Sequence, residues 1–217
     1  MEEVDGVSSG RFISLEGGEG VGKSTQAAML ADALRARGIE VVLTREPGGT
    51  PGAEAIRKLL LDSELEIGGR TEALLFAAAR ADHVEKTIAP ALDRGAWVVC
   101  DRFVDSSRAY QGGGDDLFDD AIMALHNIGS WGLMPDLTFL LQADSEEVAQ
   151  RLAERDGDNS DRIGGRSAAY HAGVAERFRT LAASDPERFV AISAEGTPSE
   201  VHERIMRAMA PLTGEGG

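Results

Sequence analysis

Short apolar runs alternate along this chain with segments in which apolar residues recur every three or four positions, the pattern of buried strands alternating with amphipathic helices. Phe12-Ile13-Ser14-Leu15-Glu16 reads as a strand, and Ala27, Leu30, Ala31 and Leu34 follow at helical spacing until Gly38 ends the helix. Ile39 to Leu43 predicts a second strand. From Thr71 to Leu92, the positions Leu74, Ala78, Ala81, Val84, Ile88 and Leu92 predict one long helix with a single buried stripe. Ala96-Trp97-Val98-Val99-Cys100 is a third strand, Leu117 to Trp131 a helix, and Pro135 to Leu141 a fourth strand. Ser145 is placed to cap a further helix, with Val148 and Leu152 facing inward. A helix through Phe178 and Leu181, a fifth strand from Phe189 to Ile192 and a terminal helix to Met209 complete the pattern. With no internal repeat, low-complexity block or linker, this alternation predicts one α/β domain over residues 1–217, a five-stranded parallel sheet with helices on both faces. Residues 1–10 and 213–217, polar or glycine-rich, are expected to fray.

The turn between the first strand and the first helix carries chemistry. Gly17-Gly18-Glu19-Gly20-Val21-Gly22-Lys23-Ser24 fits the phosphate-binding pattern G-x-x-x-x-G-K-[ST] without mismatch, in the strand-loop-helix setting that the pattern requires. Glycine lets successive N–H groups turn inward around phosphates, and the helix N-terminus adds its positive dipole end. Lys23 supplies a charge to the terminal phosphates and Ser24 a hydroxyl to a magnesium ion, and with the adjoining Thr25 the loop is the expected ATP site of a three-layer P-loop NTPase-type fold. The dinucleotide fingerprint G-x-G-x-x-G fails, because Lys23 stands where its last glycine is needed.

Other polar groups fall at predicted strand ends, the usual ligand edge of a parallel sheet. Thr44-Arg45-Glu46-Pro47-Gly48-Gly49-Thr50 is either an ordinary turn or a defined loop presenting Arg45 to an anion. Asp101 can hold magnesium directly or through water, and Arg102 can meet a second phosphate. Phe76 and Arg80, four residues apart, share a helix face. They fit stacking on a base and bonding to its edge, or simply a core aromatic beside a solvated arginine. Asp105 to Gly114 brings hydroxyl, phenol and amide groups beside the Asp101 strand end. Asp156 to Asp161, with Arg151, Arg155, Arg162 and Arg166 around it, reads as a cover that closes over phosphates or as a plain loop.

Composition narrows the partners. A net charge of -15 argues against binding a nucleic-acid polymer, whereas arginines set at element ends suit a small anion. The single Cys100 lies in an apolar run as a buried thiol, and the four histidines lack metal-ligand spacing. The chain has no apolar run of about 18 residues and no signal-like start, so a cytoplasmic protein without a membrane span is expected.

Five motifs taken together resemble the thymidylate kinase family of nucleoside monophosphate kinases, over roughly Arg11 to Leu212. They are the phosphate loop, Arg45-Glu46-Pro47-Gly48-Gly49-Thr50, Leu75 to Arg80, Asp101-Arg102-Phe103 and Ser106 to Gln111. The resemblance implies phosphorylation of dTMP to dTDP by ATP with Mg²⁺, in dTTP synthesis, by a homodimer. It implies that Phe76 stacks on thymine, that Arg80 bonds its edge and that Arg45 and Arg102 hold the monophosphate. Ser107 and Gln111 then face the base, Tyr110 packs beneath the sugar, and Glu19 sits near the sugar hydroxyl and the metal. Because the phosphate loop lacks arginine, it implies the bacterial type, in which lid arginines, here Arg155 and Arg162 in a segment over 155–167, serve the transition state. It also implies a cis Glu46-Pro47 bond. Gly164-Gly165 stands where many relatives carry glutamate, so a lid ion pair at that position is not carried over, and Gly173 replaces a frequent arginine. The rival readings are another P-loop nucleotide or metabolite kinase, or a nucleotide-binding switch with a single nucleotide pocket.

Overall fold

The computed structural model of the chain describes residues 10–114, 117–143 and 161–213. Its centre is built from β1 (Phe12–Glu16), β2 (Val41–Arg45), β3 (Trp97–Asp101), β6 (Leu137–Gln142) and β7 (Phe189–Ser193). These pair in parallel in the order β2-β3-β1-β6-β7, while β4 (Gly113–Gly114) and β5 (Leu117–Phe118) form a separate antiparallel ladder. The chain leaves β1 toward one side of the sheet and leaves β3 toward the other, so their connections diverge between two adjacent strands. That divergence opens a crevice at their carboxyl ends. The register sets Leu15 opposite Asp101 and Asp101 opposite Arg45, so three strand ends reach the crevice level with one another.

Helices cover both faces, which is why β1 is buried along its whole length. On one face Ile13, Leu15, Val99 and Phe139 pack against Leu30 and Leu34 of α1 (Lys23–Ala36) and Ile205 and Met209 of the C-terminal α8 (Pro198–Thr213). Each fully buried aliphatic side chain of this kind contributes about 1.5–3 kcal/mol. On the other, Phe12, Val98 and Cys100 meet Val84, Ile88, Phe103 and Val104, and a third cluster gathers on Phe178 and Leu181 of α7 (Ala168–Ser184). Ser14 and Glu16 share this second face with Phe12, yet both are fully buried. They belong to a polar layer within the core, where Ser14 Oγ lies 2.9 Å from Thr138 Oγ1 and Arg188 donates to Thr138 at 2.9 Å and to Asp105 at 2.5 Å.

The predicted helix from Thr71 to Leu92 is three pieces. α3 (Gly69–His83) is followed by a π-helical turn over Val84–Ile88 and then by the short α4 (Ala89–Asp93). Pro90, in the first turn of α4, has no N–H to give to an α-helical register, and the wider turn sits just before it. The buried stripe holds at Val84 and Ile88 but not in α3 before them: Leu74 and Ala78 face outward, and α3 buries Glu72, Ala73, Ala79, Arg80 and His83. Leu117 and Phe118 are in β5, and the helix beyond them, α6, runs Asp119–Ser130. The hydrophobic pattern does not reveal α2 (Pro51–Leu61), because only Ala53 and Leu60 of its residues are buried; its signals are Thr50, whose side chain caps Ala53 N–H, and Pro51 in the first turn. Ser145, Val148, Leu152, Arg151 and Arg155 lie outside the described residues.

Candidate active site

The loop after β1 needs glycine for its path. Gly17 has φ 135° and a Cβ there would stand 2.4 Å from the Leu141 carbonyl oxygen, and Gly22 takes φ 91° to cap α1. Lys23 folds back on the loop and donates to the Gly18 carbonyl, and the Ser24 hydroxyl donates to Asp101 Oδ2. The other Asp101 oxygen, Oδ1, is buried without a hydrogen-bond partner among the described residues. A hydroxyl and an unmet carboxylate oxygen at the mouth of a phosphate loop are hard oxygen donors of the kind magnesium takes, and magnesium bound by few protein groups keeps water and phosphate oxygens as the rest of its shell. The described residues include no cluster of three or more His, Cys, Asp or Glu that would hold a metal without phosphate.

The crevice is a cavity of about 640 Å³. The loop from Glu19 and the start of α1 to Gln26 line one part; Ala194, Gly196 and Pro198 close it on the side of β7. Opposite them stand Arg45, Phe76, Arg80, Arg102, Ser107, Tyr110 and Gln111, so the predicted residues from four separate segments meet in one space with Lys23 and Ser24.

Arg102 joins the two halves. It is a non-glycine residue at φ 69°, directly after β3, held by its N–H on the Leu15 carbonyl at 3.0 Å. Its guanidinium donates to the Gly17 carbonyl at 3.0 Å, to Ser106 Oγ at 3.1 Å, to Glu19 at 2.7 Å and to Tyr110 Oη at 3.3 Å. Tyr110 Oη in turn donates to Glu19 at 3.2 Å. Burial pushes the Tyr110 phenol up, keeping it protonated as a donor. Burial, and then the charge of Arg102, pull the Lys23 ammonium down to about 8.

Glu16 supplies what α5 (Val104–Tyr110) lacks, since Phe103 at its N-cap offers no side-chain cap. The Glu16 carboxylate accepts from Phe103 N–H at 2.7 Å, Ser106 N–H at 3.3 Å and the Ser106 hydroxyl at 2.6 Å, tying the strand before the phosphate loop to the helix that carries Ser107 and Tyr110. Burial, and next the charge of Asp105, raise its carboxyl to about 8.

Arg80 is only 3% exposed and donates to Glu46 at 2.8 Å and to Ser107 Oγ at 2.6 Å, so it is no solvated arginine. Glu46 also meets His83 Nδ1 at 3.1 Å, and its bond to Pro47 is cis, as expected. Phe76 both packs on the third apolar cluster and lines the cavity. Arg45 pairs with Glu54 at 3.3 Å, and Arg57, a lining residue that sequence reasoning missed along with α2, donates to the Pro47 carbonyl at 2.8 Å. Arg162 is not brought to the phosphate loop: it pairs with Glu72 at 2.7 Å and donates to the Leu60 carbonyl at 2.9 Å. Cys100 is fully buried with its thiol pushed up by burial, which agrees with an unreactive side chain.

The sequence model of thymidylate kinase matches residues 15–205. A thymidylate kinase from Rhizorhabdus wittichii is 59% identical over 94% of this chain and 98% of its own length, and one from Chromohalobacter salexigens is 51% identical over 92% and 94%. The crystal structure of a thymidylate kinase from Ehrlichia chaffeensis superposes with a TM-score of 0.74 at 31% identity, covering 93% of this chain and 99% of that one. A phosphate loop facing a second set of arginines, on a five-stranded parallel sheet, accords with these likenesses: the chain belongs to the thymidylate kinase family.

Proposed function

We propose that one cavity holds both substrates of this kinase, ATP over Gly17 to Thr25 and dTMP between Phe76 and Tyr110, with the two phosphate chains meeting at Arg102. Membership of the family makes the chain an ATP-dependent nucleoside monophosphate kinase that converts dTMP to dTDP in dTTP synthesis. The observation that carries the residue assignment is Arg102, which bonds at once to the phosphate loop through Gly17 and Glu19 and to the acceptor helix through Ser106 and Tyr110.

In this reading a phosphate oxygen of dTMP attacks the γ-phosphorus of ATP in line, the bond to the β-γ bridging oxygen breaks, and ADP leaves. The acceptor is already anionic, so positioning and charge neutralisation do most of the work. Lys23 leaves the Gly18 carbonyl for the β- and γ-phosphates, and Arg102 and Arg45 hold the acceptor phosphate against its repulsion from the donor. Ser24 and Asp101 hold magnesium, which supplies further charge neutralisation when bound. Glu19 and Tyr110 lie beneath the deoxyribose, Phe76 stacks on the base, and Arg80, Ser107 and Gln111 face its edge. Arg162 serves the transition state after leaving Glu72; Arg155 carries the same proposed role from outside the described residues.

Two further assignments belong here. No helix of the described residues is long and apolar enough to cross a membrane, which supports a cytoplasmic setting. Leu74 on α3, Phe118, Ile128 on α6 and Trp131 are more than half exposed, and α3 packs on α6, which supports a homodimer contact over this face.

The test is Arg102→Ala, with initial rates measured against each substrate separately. Loss of a charged group that acts in the transition state lowers kcat about 10²–10³-fold, and KM for dTMP rises more than KM for ATP. A variant with unchanged kcat and unchanged KM for dTMP refutes the assignment.

A further inference from the structure

Glu72 is 1% exposed on the inward face of α3, and the side-chain contacts of its carboxylate are with distant parts of the chain. Its Oε1 accepts from Gln111 Nε2 at 2.8 Å. Its Oε2 faces two guanidiniums, Arg166 Nη2 at 2.5 Å and Arg162 Nη2 at 2.7 Å. Arg166 is itself fixed, donating to Tyr170 Oη at 2.5 Å while Tyr170 donates to the Tyr110 carbonyl at 2.8 Å. The carboxylate is therefore anchored from the side away from Gln111.

An ionised carboxylate has only lone pairs to offer, so the Gln111 amide must turn its nitrogen toward Glu72 and its oxygen away. Gln111 lines the cavity, and its Oε1 is buried with no hydrogen-bond partner among the described residues. Arg80, across the same pocket, has donors only and spends two of them on Glu46 and Ser107. A base edge that fits must give a proton to Gln111 and accept one from Arg80. Thymine does this with N3–H and O4. Cytosine offers the reverse, an unprotonated N3 and an amino group at C4, and would leave buried polar groups unpaired on both sides.

We infer that Glu72 is the specificity-positioning residue of the base pocket: through Gln111 it sets the hydrogen-bond polarity that favours an imide edge over a cytosine edge. This rests on the base-pocket reading above and adds to it the residue that fixes which atom of Gln111 meets the base. Glutamine at position 72 could present either its carbonyl or its amide to Gln111, and the polarity would no longer be imposed.

The test is the ratio of kcat/KM for dTMP to that for dCMP, measured in wild type, Glu72→Gln and Gln111→Ala. A ratio within one preparation cancels any loss of folded enzyme. The ratio is expected to fall at least about tenfold in Glu72→Gln, since matched against mismatched hydrogen bonding discriminates strongly. If Gln111→Ala collapses the ratio and Glu72→Gln leaves it intact, or lowers both rates alike, the inference is overturned and the pocket reading stands. If Gln111→Ala leaves the ratio intact, the pocket reading falls and the inference with it. Should Glu72→Gln fail to fold, the charge-balanced double variant Glu72→Gln/Arg166→Gln carries the same readout and the same expected fall.

Discussion

Replacing Glu16 with glutamine isolates the energetics of a carboxyl buried directly before the phosphate loop. Burial and the neighbouring Asp105 raise this carboxyl from 4.5 to about 8, against the opposing pull of the Ser106 hydroxyl, Arg102 and the Phe103 N–H. Below pH 4.5 the group is protonated in both the folded and the unfolded chain, so it has no effect on the difference between them. As the pH rises from there, the unfolded chain loses the proton first. The folded chain then binds more protons, and stability falls with rising pH until the folded carboxyl also ionises near 8. At about 1.4 kcal/mol per pKa unit, the loss amounts to about 5 kcal/mol once that span is complete, most of it accrued by neutral pH. Glutamine is nearly isosteric with the protonated acid. Its carbonyl can accept from Phe103 and Ser106, its amide can donate to the Ser106 hydroxyl, and it does not titrate. Urea unfolding of wild type and Glu16→Gln at intervals from pH 5 to pH 9 gives the difference in stability directly, with the repulsion of the acidic surface common to both. The variant should gain several kcal/mol on wild type across the range, nearly all of it between pH 5 and 8. Two curves that run parallel would refute the reasoning.

Other outcomes follow from the same contacts. Lys23→Ala should lower turnover by orders of magnitude while the unfolding transition is retained; near-normal turnover would remove Lys23 from the phosphate site. Burial and Arg102 pull the Lys23 ammonium down to about 8, so it is charged below that pH and neutral above it. ATP binding should therefore weaken and take up a proton as the pH passes 8, and calorimetry in buffers of different ionisation heat should show that uptake in wild type and not in Lys23→Ala. Arg188→Met removes the buried partner 2.5 Å from Asp105 and the bond to Thr138, and should cost about 3 kcal/mol, read as a lower urea midpoint with unchanged slope. Because Arg108 also meets Asp105 at 3.1 Å, Asp105→Ala takes a buried contact from both arginines, leaving Arg188 to Asp185 and Arg108 to Asp119, and should be the more damaging change.

The strands and the phosphate loop were legible because their signals are local. A parallel strand covered on both faces must be apolar nearly throughout, as Trp97-Val98-Val99-Cys100 is, and the loop glycines stand at fixed spacing ahead of Lys23. α3 was misread for the opposite reason. Its inward face carries Glu72, Arg80 and His83, of which Arg80 lines the cavity, and these are buried only because Glu46, Gln111 and Arg166 arrive from elsewhere in the chain to pair with them. A hydrophobic stripe assigned by period puts Leu74 in the core, whereas it is 56% exposed. Glu16 illustrates the same limit on a smaller scale. At a strand end it reads as an ordinary polar terminus, and its function as a cap for α5 depends on a helix 87 residues further along. Arg162 could be recognised as one arginine of a basic group, but its partner Glu72 lies on the predicted outer side of a helix whose faces were reversed. Pairings between segments far apart in the chain leave no periodic trace in either segment, which is why the pocket residues emerged from motifs and their partners did not.

The proposed function requires two anion sites in one cavity, a donor loop and an acceptor set joined at Arg102. The most direct test is ADP formation from ATP and magnesium by the full chain, followed in a coupled assay without acceptor and with dTMP, dCMP, dGMP and dAMP in turn. Slow ADP release is expected without acceptor, stimulation by orders of magnitude with dTMP, and little with the others. ADP formation that proceeds equally well without a monophosphate, or that prefers one other than dTMP, would contradict the proposed function.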